Sequence, residues 1–230
     1  MLNLVENSWS IQNSNNLSKL NDNEICQFFS SALQGKELIP QDQLQRKFVF
    51  VIDEKENLNH GGSYHKSNQG GDIHTDSPQY ETQPKFIILY CISQAMHGGE
   101  SIIVDGHKLY NHLTRIGFNE KDLEVQVPYE QRPEGKIIWG QIFYKKKDFV
   151  KVRYLRSYVD SALFKIKSKN KNLYSMLHEI NHFLDDENNH EVFKLNHGDI
   201  LIIDNERFLH GRKSFHDSTQ ARKMLRIWIK

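Results

Sequence analysis

Residues 70–78, with the sequence GGDIHTDSP, place an imidazole and a carboxylate two residues apart, at His74 and Asp76. In an extended strand, residues i and i+2 lie on one face about 6.6 Å apart, so both side chains can reach one cation. The spacing alone is weakly specific, because a chain with 12 histidines and 29 acidic residues is expected to contain about one or two such triplets by chance. A metal site here needs a third ligand from elsewhere in the chain.

A second triplet of this kind is His197-Gly198-Asp199. The sequence Asn-His-Gly-Asp is typical of a turn, and Gly198 supplies a permissive backbone, so we expect a turn between two apolar strands there. A better third ligand for the first pair is His210, which lies on a short apolar run near the C-terminus. Two strands far apart in sequence can then meet at one metal ion.

A different metal chemistry is suggested by the sequence HEINH, which supplies His178, Glu179 and His182. In zinc metalloproteases, two histidines at i and i+4 bind zinc and the intervening glutamate acts as general base. The extended form of that motif requires a glycine and a histidine where this chain has Asp185 and Asn188. A later acidic residue can complete the other form, so a zinc hydrolase stays open as an alternative.

The helix that carries this motif favours a simpler interpretation. Residues 171–186 show apolar side chains at three- and four-residue spacing, which predicts an amphipathic helix. His178, Glu179 and His182 fall outside the apolar stripe and are expected on the solvated face. The stripe consists of Leu173, Met176, Leu177, Ile180, Phe183 and Leu184.

The remaining elements are predicted to be mostly short strands. An N-terminal helix is expected over 21–35, capped by Asn21 or Asn23 and ended by Gly35, and a second helix is expected after Asp105, which can cap it. Many short strands with two or three peripheral helices, and no alternation of strand and helix, indicate a mainly β jelly roll. Strands are expected at 47–53, 86–93, 101–105, 136–144, 148–155, 190–195, 200–204, around 210 and at the C-terminus.

Residues 54–72 contain no apolar period and are expected to form a long loop. Loops of this length in a compact domain are usually functional, and this one leads directly into His74, so we interpret it as a lid over the metal. The candidate substrate contacts that it supplies are Ser63, Tyr64, His65, Asn68 and Asp72.

Composition limits the classes of partner. Lysine and arginine number 30 against 29 acidic residues, a net charge of +1, which gives no basic field for nucleic acid or an anionic membrane and favours a small molecule. No apolar stretch is long enough to span a bilayer and the N-terminus is too polar for a signal peptide. We therefore expect one soluble, cytoplasmic domain over 1–230, with Cys26 and Cys91 reduced. The oligomeric state stays open.

Four motifs in order resemble those of one enzyme superfamily. They are GDIHTDSPQY, GGESIIVDG, GDILIIDNERFLHGR and the closing RKMLR. As a set they resemble the iron(II) and 2-oxoglutarate dependent oxygenases of the taurine dioxygenase and clavaminate synthase-like superfamily. The likeness spans residues 70–230 and implies a double-stranded β-helix of cupin-like jelly-roll form.

The resemblance assigns roles to the candidate ligands. His74, Asp76 and His210 match the positions that hold Fe(II), and two histidines with one carboxylate on one face of an octahedral ion leave three positions open. In the family these positions serve 2-oxoglutarate and O2. The implied reaction is hydroxylation of an unactivated carbon, or desaturation, with release of succinate and CO2. The resemblance also implies no halogenation, because halogenating relatives have a small residue where this chain has Asp76.

The resemblance also assigns a site for the cosubstrate. Arg222 matches the arginine that binds the distal carboxylate of 2-oxoglutarate, for which a guanidinium offers two parallel hydrogen bonds. Ser101 stands where the family commonly has a threonine that bonds the same carboxylate. Arg226 lies four residues after Arg222, on the same strand face, and matches a position that meets the inner carboxylate or an acidic substrate.

For the substrate, spare arginines beside the iron predict a carboxylate-bearing metabolite such as a free amino acid. Arg153 and Arg156 are three residues apart, so on a regular strand only one can point inward. We predict Arg156, because Val152 and Tyr154 share its side of the strand. A non-catalytic jelly-roll binding protein is the other open alternative.

Overall fold

The computed structural model describes residues 2–14, 17–33, 35–41, 48–53, 70–132, 134–147, 149–216 and 222–230. Its larger sheet has six antiparallel strands, β1 (Trp9–Asn13), β2 (Leu38–Ile39), β3 (Val49–Asp53), β4 (Phe86–Ser93), β12 (Asp199–Asp204) and β15 (Lys223–Ile229). In this sheet β1, β12, β4, β15 and β2 follow one another, and β3 also pairs with β15.

The smaller sheet has three antiparallel strands, β6 (Ser101–Asp105), β11 (Glu191–Phe193) and β13 (Phe208–Arg212). Strand β6 lies at its centre, flanked by β11 and β13. Three strand pairs complete the β structure, β5 with β14, β7 with β8, and β9 with β10. They are β5 (His97–Gly98), β7 (Gln126–Gln131), β8 (Lys136–Gln141), β9 (Phe143–Lys146), β10 (Phe149–Val152) and β14 (Phe215–His216).

The two sheets enclose an apolar interior to which both contribute. Side chains on one face of β4, β12 and β15 pack against side chains from β6 and β13. This is the double-layered jelly-roll arrangement that the sequence predicts. The members of the interior cluster are Ile87, Cys91, Ile103, Leu195, Leu201, Ile203, Phe208, Met224 and Trp228.

Five α-helices among the described residues cover the outer faces of the sheets. They are α1 (Asp22–Ala32), α2 (Gly106–Arg115), α3 (Glu120–Leu123), α4 (Arg156–Ile166) and α5 (Lys171–Asp185). Helix α1 packs Ile25 and Phe29 against the larger sheet, and α2, α4 and α5 pack against the smaller sheet and its neighbouring strand pairs. None of the described helices is long and apolar enough to cross a membrane.

Local sequence signals predicted several of these elements. Asn21 caps α1 with Glu24 completing a capping box, Asp105 caps α2, and α5 runs to Asp185 with its whole apolar stripe buried. His197-Gly198-Asp199 forms the expected turn, with Gly198 at φ +86°.

The strand predicted at 148–155 is present but ends earlier than expected. Strand β10 ends at Val152, and Arg156 is the first residue of helix α4. Val159, Ala162 and Leu163 are buried at helical spacing in α4, so the chain changes from strand to helix between Val152 and Arg156. The strand-parity argument that chose Arg156 over Arg153 therefore does not hold.

Candidate metal centre

Backbone pairing brings the three predicted ligands together. His74 and His210 form an antiparallel bridge, in which the His74 N–H donates to the His210 carbonyl at 2.9 Å and the His210 N–H donates to the His74 carbonyl at 2.7 Å. Residues 70–76 thereby extend the smaller sheet beside β13. His210 lies on the same face of β13 as Phe208, which packs in the interior between the two sheets.

The ligand atoms converge in a buried place. The distance from Asp76 Oδ1 to His74 Nε2 is 3.4 Å and to His210 Nε2 is 3.9 Å, and all three ligand atoms lie within 4.8 Å of one another. Among the described residues, this is the group of histidine, cysteine and carboxylate side chains that can hold one ion. Two imidazoles and one carboxylate suit a divalent transition metal such as Fe(II).

Hydrogen bonding prepares His74 to ligate through Nε2, and burial keeps His210 neutral. His74 Nδ1 lies 2.7 Å from the Asp72 carbonyl oxygen, which accepts only, so Nδ1 carries the proton and Nε2 keeps its lone pair. Burial, together with the neighbouring His74, lowers the pKa of His210 to about 3. His210 is therefore a neutral imidazole at the pH values at which proteins work.

The Asp76 carboxylate is anionic although it is only 3% exposed. Burial opposes its ionisation, but the Arg226 guanidinium favours the anion, and the pKa of Asp76 lies well below its usual range. Arg226 Nη1 donates to Oδ1 at 3.1 Å and Trp228 Nε1 donates to Oδ2 at 2.7 Å. Each carboxylate oxygen thus has a fixed donor from β15.

The backbone around Asp76 is fixed as well. The Asp76 N–H donates to Asn205 Oδ1 at 2.8 Å, and Asn205 Nδ2 donates back to the Asp76 carbonyl at 3.2 Å. Thr75 and Tyr154 exchange two bonds, from Thr75 N–H to the Tyr154 carbonyl at 2.8 Å and from Tyr154 N–H to Thr75 Oγ1 at 3.0 Å. Ser77 follows with a positive φ of +63°, a conformation that persists only where the surroundings impose it.

The predicted cosubstrate arginine is buried beside a glycine turn. Arg222 is 7% exposed, and its Nε donates to Gln94 Oε1 at 3.2 Å. Gly99 has φ +75°, and a Cβ there would lie 3.3 Å from Arg222 Cδ. Ser101, two residues further along and buried, lies on β6 opposite Arg212. The GGES motif thus leaves room for Arg222.

The predicted substrate contacts have different positions. Asp72 is half-buried and holds His74 through its carbonyl. Arg156 donates from Nε to Asn181 Oδ1 at 2.8 Å and from Nη2 to Asp185 Oδ1 at 2.8 Å, so its side chain joins α4 to α5. Ser63, Tyr64, His65 and Asn68, with most of the predicted lid, lie outside the described residues.

The HEINH helix does not present a metal site of its own in the described structure. His178 and His182 are exposed and Glu179 is half-buried, as expected for a solvated helix face. The informative residue of the motif is Asn181, whose Oδ1 accepts from the Tyr154 hydroxyl at 2.6 Å. Helix α5 therefore supports Tyr154, which in turn holds Thr75 between the two ligands.

Sequence reasoning missed the residues that surround the ligands, namely Asn205, Gln41, Tyr154 and the indole of Trp228. Trp228 was detectable in part, because it lies two residues after Arg226 on the same strand face. Gln41 holds Arg226 by accepting from its Nε at 2.8 Å, and no local pattern indicates that contact.

Comparison with known proteins gives a consistent result. The sequence model of the family described as taurine catabolism dioxygenase TauD, TfdA family matches residues 18–228. The gamma-butyrobetaine dioxygenase of Homo sapiens is 28% identical over 171 residues, which are 66% of this chain and 42% of that protein. This chain spans about half the length of the curated relatives that it matches.

Two solved structures share the fold. The non-heme iron oxygenase OrfP, in complex with Fe and alpha-ketoglutaric acid, has a TM-score of 0.67 at 14% identity, covering 90% of this chain and 64% of OrfP. An asparagine oxygenase in complex with Fe(II), 2S,3S-3-hydroxyasparagine and succinate has a TM-score of 0.61 at 13% identity, covering 79% of this chain and 56% of that chain. The jelly-roll prediction is confirmed.

Proposed function

The chain belongs to the taurine catabolism dioxygenase TauD, TfdA family, and on that premise we propose that it is an Fe(II) and 2-oxoglutarate dependent dioxygenase. The observation that carries the proposal is the convergence of the His74, Asp76 and His210 ligand atoms within 4.8 Å. A buried arginine, Arg222, lies immediately before β15, the strand whose side chains donate to Asp76. The proposed reaction hydroxylates a free amino acid or a similar small carboxylate-bearing metabolite.

When bound, the iron and its cosubstrate supply the oxidising power, with O2 consumed and 2-oxoglutarate converted to succinate and CO2 as one oxygen atom enters the substrate. The protein's part is to hold and orient these groups. His74, Asp76 and His210 hold the ion, and Arg222 with Ser101 binds the distal carboxylate of 2-oxoglutarate. Burial of Arg222 strengthens that ion pair because little water competes for it.

The substrate class rests on charge at the site and on the relatives. Arg226 lies on the ligand carboxylate itself, 3.1 Å from Asp76 Oδ1, and so stands beside any substrate that approaches the ion. An asparagine oxygenase and OrfP with hydroxylated arginine are among the structural neighbours. Arg226 lies beside the metal ligand Asp76 and is the proposed anchor for a substrate carboxylate, whereas Arg156 bonds Asn181 and Asp185 of α5.

The metal assignment is tested by removing ligands one at a time. His74→Ala, Asp76→Ala and His210→Ala should abolish Fe(II) binding and succinate release from 2-oxoglutarate while circular dichroism shows a folded protein. His178→Ala and His182→Ala are matched controls, since these histidines are exposed on α5, and both should retain metal and turnover. Loss of metal in the α5 variants with retention in His74→Ala would instead establish the zinc hydrolase.

The substrate class is tested after a screen of amino acids and betaines by mass spectrometry has found a substrate. The wild type is compared with Arg226→Ala and Arg156→Ala on that substrate and on its neutral carboxamide. We expect the acid to be preferred by the wild type and the preference to be lost in Arg226→Ala. Equal turnover of acid and amide by the wild type would refute an arginine anchor for a substrate carboxylate.

No chlorinated product is expected from the wild type in chloride buffer, because Asp76 occupies the coordination position that chloride would need.

A further inference from the structure

We propose that Trp228 is a positioning residue that makes Asp76 a ligand through one oxygen atom only, an inference that rests on the proposed function of the metal centre. The indole Nε1 donates to Asp76 Oδ2 at 2.7 Å. Both partners are buried, Trp228 at 8% exposure and Asp76 at 3%, so water does not compete for the bond.

The bond makes the two carboxylate oxygens inequivalent. Oδ2 is directed at the indole, whereas Oδ1 accepts from Arg226 Nη1 at 3.1 Å and faces the Nε2 atoms of His74 and His210 at 3.4 and 3.9 Å. The indole N–H can only donate, so it holds Asp76 Oδ2 as its acceptor. This bond keeps Oδ2 from turning towards the histidines. A hydrogen bond to a charged group is about twice as strong as one between neutral groups.

The consequence concerns the number of free positions on the ion. An octahedral ion with two imidazoles and one carboxylate oxygen keeps three open positions. A carboxylate that binds through both oxygens would leave two, and a chelating 2-oxo acid would fill them both. The Trp228 bond therefore preserves a position that the proposed reaction needs.

The surroundings of Trp228 hold the indole in place. Its backbone pairs with Ile39 of β2 and Ile87 of β4, in the interior of the larger sheet. The Arg226 guanidinium lies over the indole, 5.0 Å from the ring centroid, and Gln41 fixes that guanidinium. Trp228 is therefore held by strand pairing on both sides and by a guanidinium over its ring. A residue held in this way is more precisely placed than one on a loop.

The test removes the N–H and keeps the ring. Trp228→Phe is titrated anaerobically with Mn(II), and free Mn(II) is counted by its EPR signal in solution. Outer-shell partners of metal ligands typically contribute about 10- to 100-fold in affinity, so we expect the Kd for Mn(II) to rise by about that factor. The visible charge-transfer absorption of the anaerobic complex with Fe(II) and 2-oxoglutarate should also weaken.

Two controls separate the bond from packing and from tryptophan content. Met224→Leu alters a buried side chain on the same face of β15, and Trp139→Phe removes an indole that is 56% exposed; neither should change the Kd. An unchanged Kd in Trp228→Phe overturns the proposal. Failure of the wild type itself to bind Mn(II) more tightly than His74→Ala would instead reject the metal centre.

A second measurement uses the wild-type protein, so it is valid even if Trp228→Phe fails to fold. In wild-type protein with 15N-labelled tryptophan and Zn(II), the three indole N–H signals are assigned with Trp9→Phe and Trp139→Phe. The Trp228 N–H should exchange with solvent far more slowly than that of Trp139, because it is buried and bonded. Equal exchange rates for the two indoles overturn the proposal.

Discussion

At the scale of single residues, burial and hydrogen bonds set the protonation state and the orientation of the ionisable side chains at this site. Asp76 has a donor on each oxygen, His74 has a fixed proton on Nδ1, and His210 is neutral because burial lowers its pKa to about 3. Side chains with these properties bind a cation without a prior proton transfer.

Arg222→Ala is predicted to weaken binding of 2-oxoglutarate. Removing one member of a desolvated ion pair typically costs roughly 3 to 5 kcal/mol, which is about two to three and a half orders of magnitude in affinity. The KM for 2-oxoglutarate, measured by succinate release, should rise by that factor. Arg222→Lys should recover part of the loss, because lysine supplies the charge without the planar fork. An unchanged KM in Arg222→Ala would show that another cation binds the cosubstrate.

At the scale of elements, α4 and α5 support the site from outside the jelly roll. Helix α4 is joined to β7 by Glu130, which accepts from Lys165 and Ser161 of α4. Helix α5 is joined to the 74–76 segment through Asn181 and Tyr154.

Asn181→Ala should lower both stability and metal affinity. The change leaves the hydroxyl of Tyr154 without its partner, at a cost of about 1 to 3 kcal/mol in the free energy of unfolding. Because Tyr154 bonds Thr75 between the ligands, the Kd for Mn(II) should rise by about 10-fold. His182→Ala, one position along α5 and exposed, should change neither quantity. A lower Tm with an unchanged Kd would mean that α5 supports only the fold.

Glu130 gives the protein an acid-sensitive contact. Hydrogen bonds from Lys165 and Ser161 lower the pKa of Glu130 to about 2. A carboxyl group whose pKa is depressed on folding stabilises the folded state above its unfolded pKa of 4.5, and this contribution is lost as pH falls towards 2. Glu130→Gln should therefore have a lower Tm than the wild type at pH 7, and the difference should shrink at pH 3.

The surface ion pair of Glu120 with Lys145 is the control for this measurement. The Glu120 side chain is 63% exposed, against 9% for Glu130, and exposed pairs contribute little to stability. Glu120→Gln should leave the Tm at pH 7 almost unchanged. If the Tm difference between Glu130→Gln and the wild type were the same at pH 7 and pH 3, the Glu130 contact would not be ionic.

At the scale of the whole molecule, the metal centre connects segments that are distant in sequence. Residues 74–76 precede the larger sheet's β4, His210 belongs to the smaller sheet, and the donors Arg226 and Trp228 come from the last strand. An ion bound there stabilises the packing of the two sheets.

Mn(II) is therefore predicted to raise the Tm of the wild type. At a free concentration about 100 times the Kd, a ligand that binds only the folded state adds about 2.7 kcal/mol, which for a protein of this size corresponds to about 5 to 10 °C. His74→Ala should show no such rise, and His178→Ala should behave as the wild type. A thermal scan with and without metal measures all three, and equal shifts in wild type and His74→Ala would place the binding elsewhere.

The sequence by itself determined the features that depend on near neighbours in the chain. The i to i+2 spacing of His74 and Asp76, the apolar stripe of α5 and the cap at Asp105 are local patterns, and each one matches the structure. The short apolar run around His210 suggested the third ligand, and the family motifs added the predicted role of Arg222. The end of the strand predicted at 148–155 was misplaced, because apolar residues continue past Val152 to Tyr154 and Leu155, just before helix α4 begins at Arg156.

Only the tertiary structure decided which groups surround the ligands. Trp228, Arg226 and Asn205 meet Asp76 because β15 and the turn after β12 pack beside the 74–76 segment. These contacts join residues more than a hundred positions apart in the chain, with sequence separations of 152, 150 and 129. A hydrogen bond at such a separation leaves no periodic trace in the sequence, because it depends on strand order and register, which the apolar core of both sheets imposes.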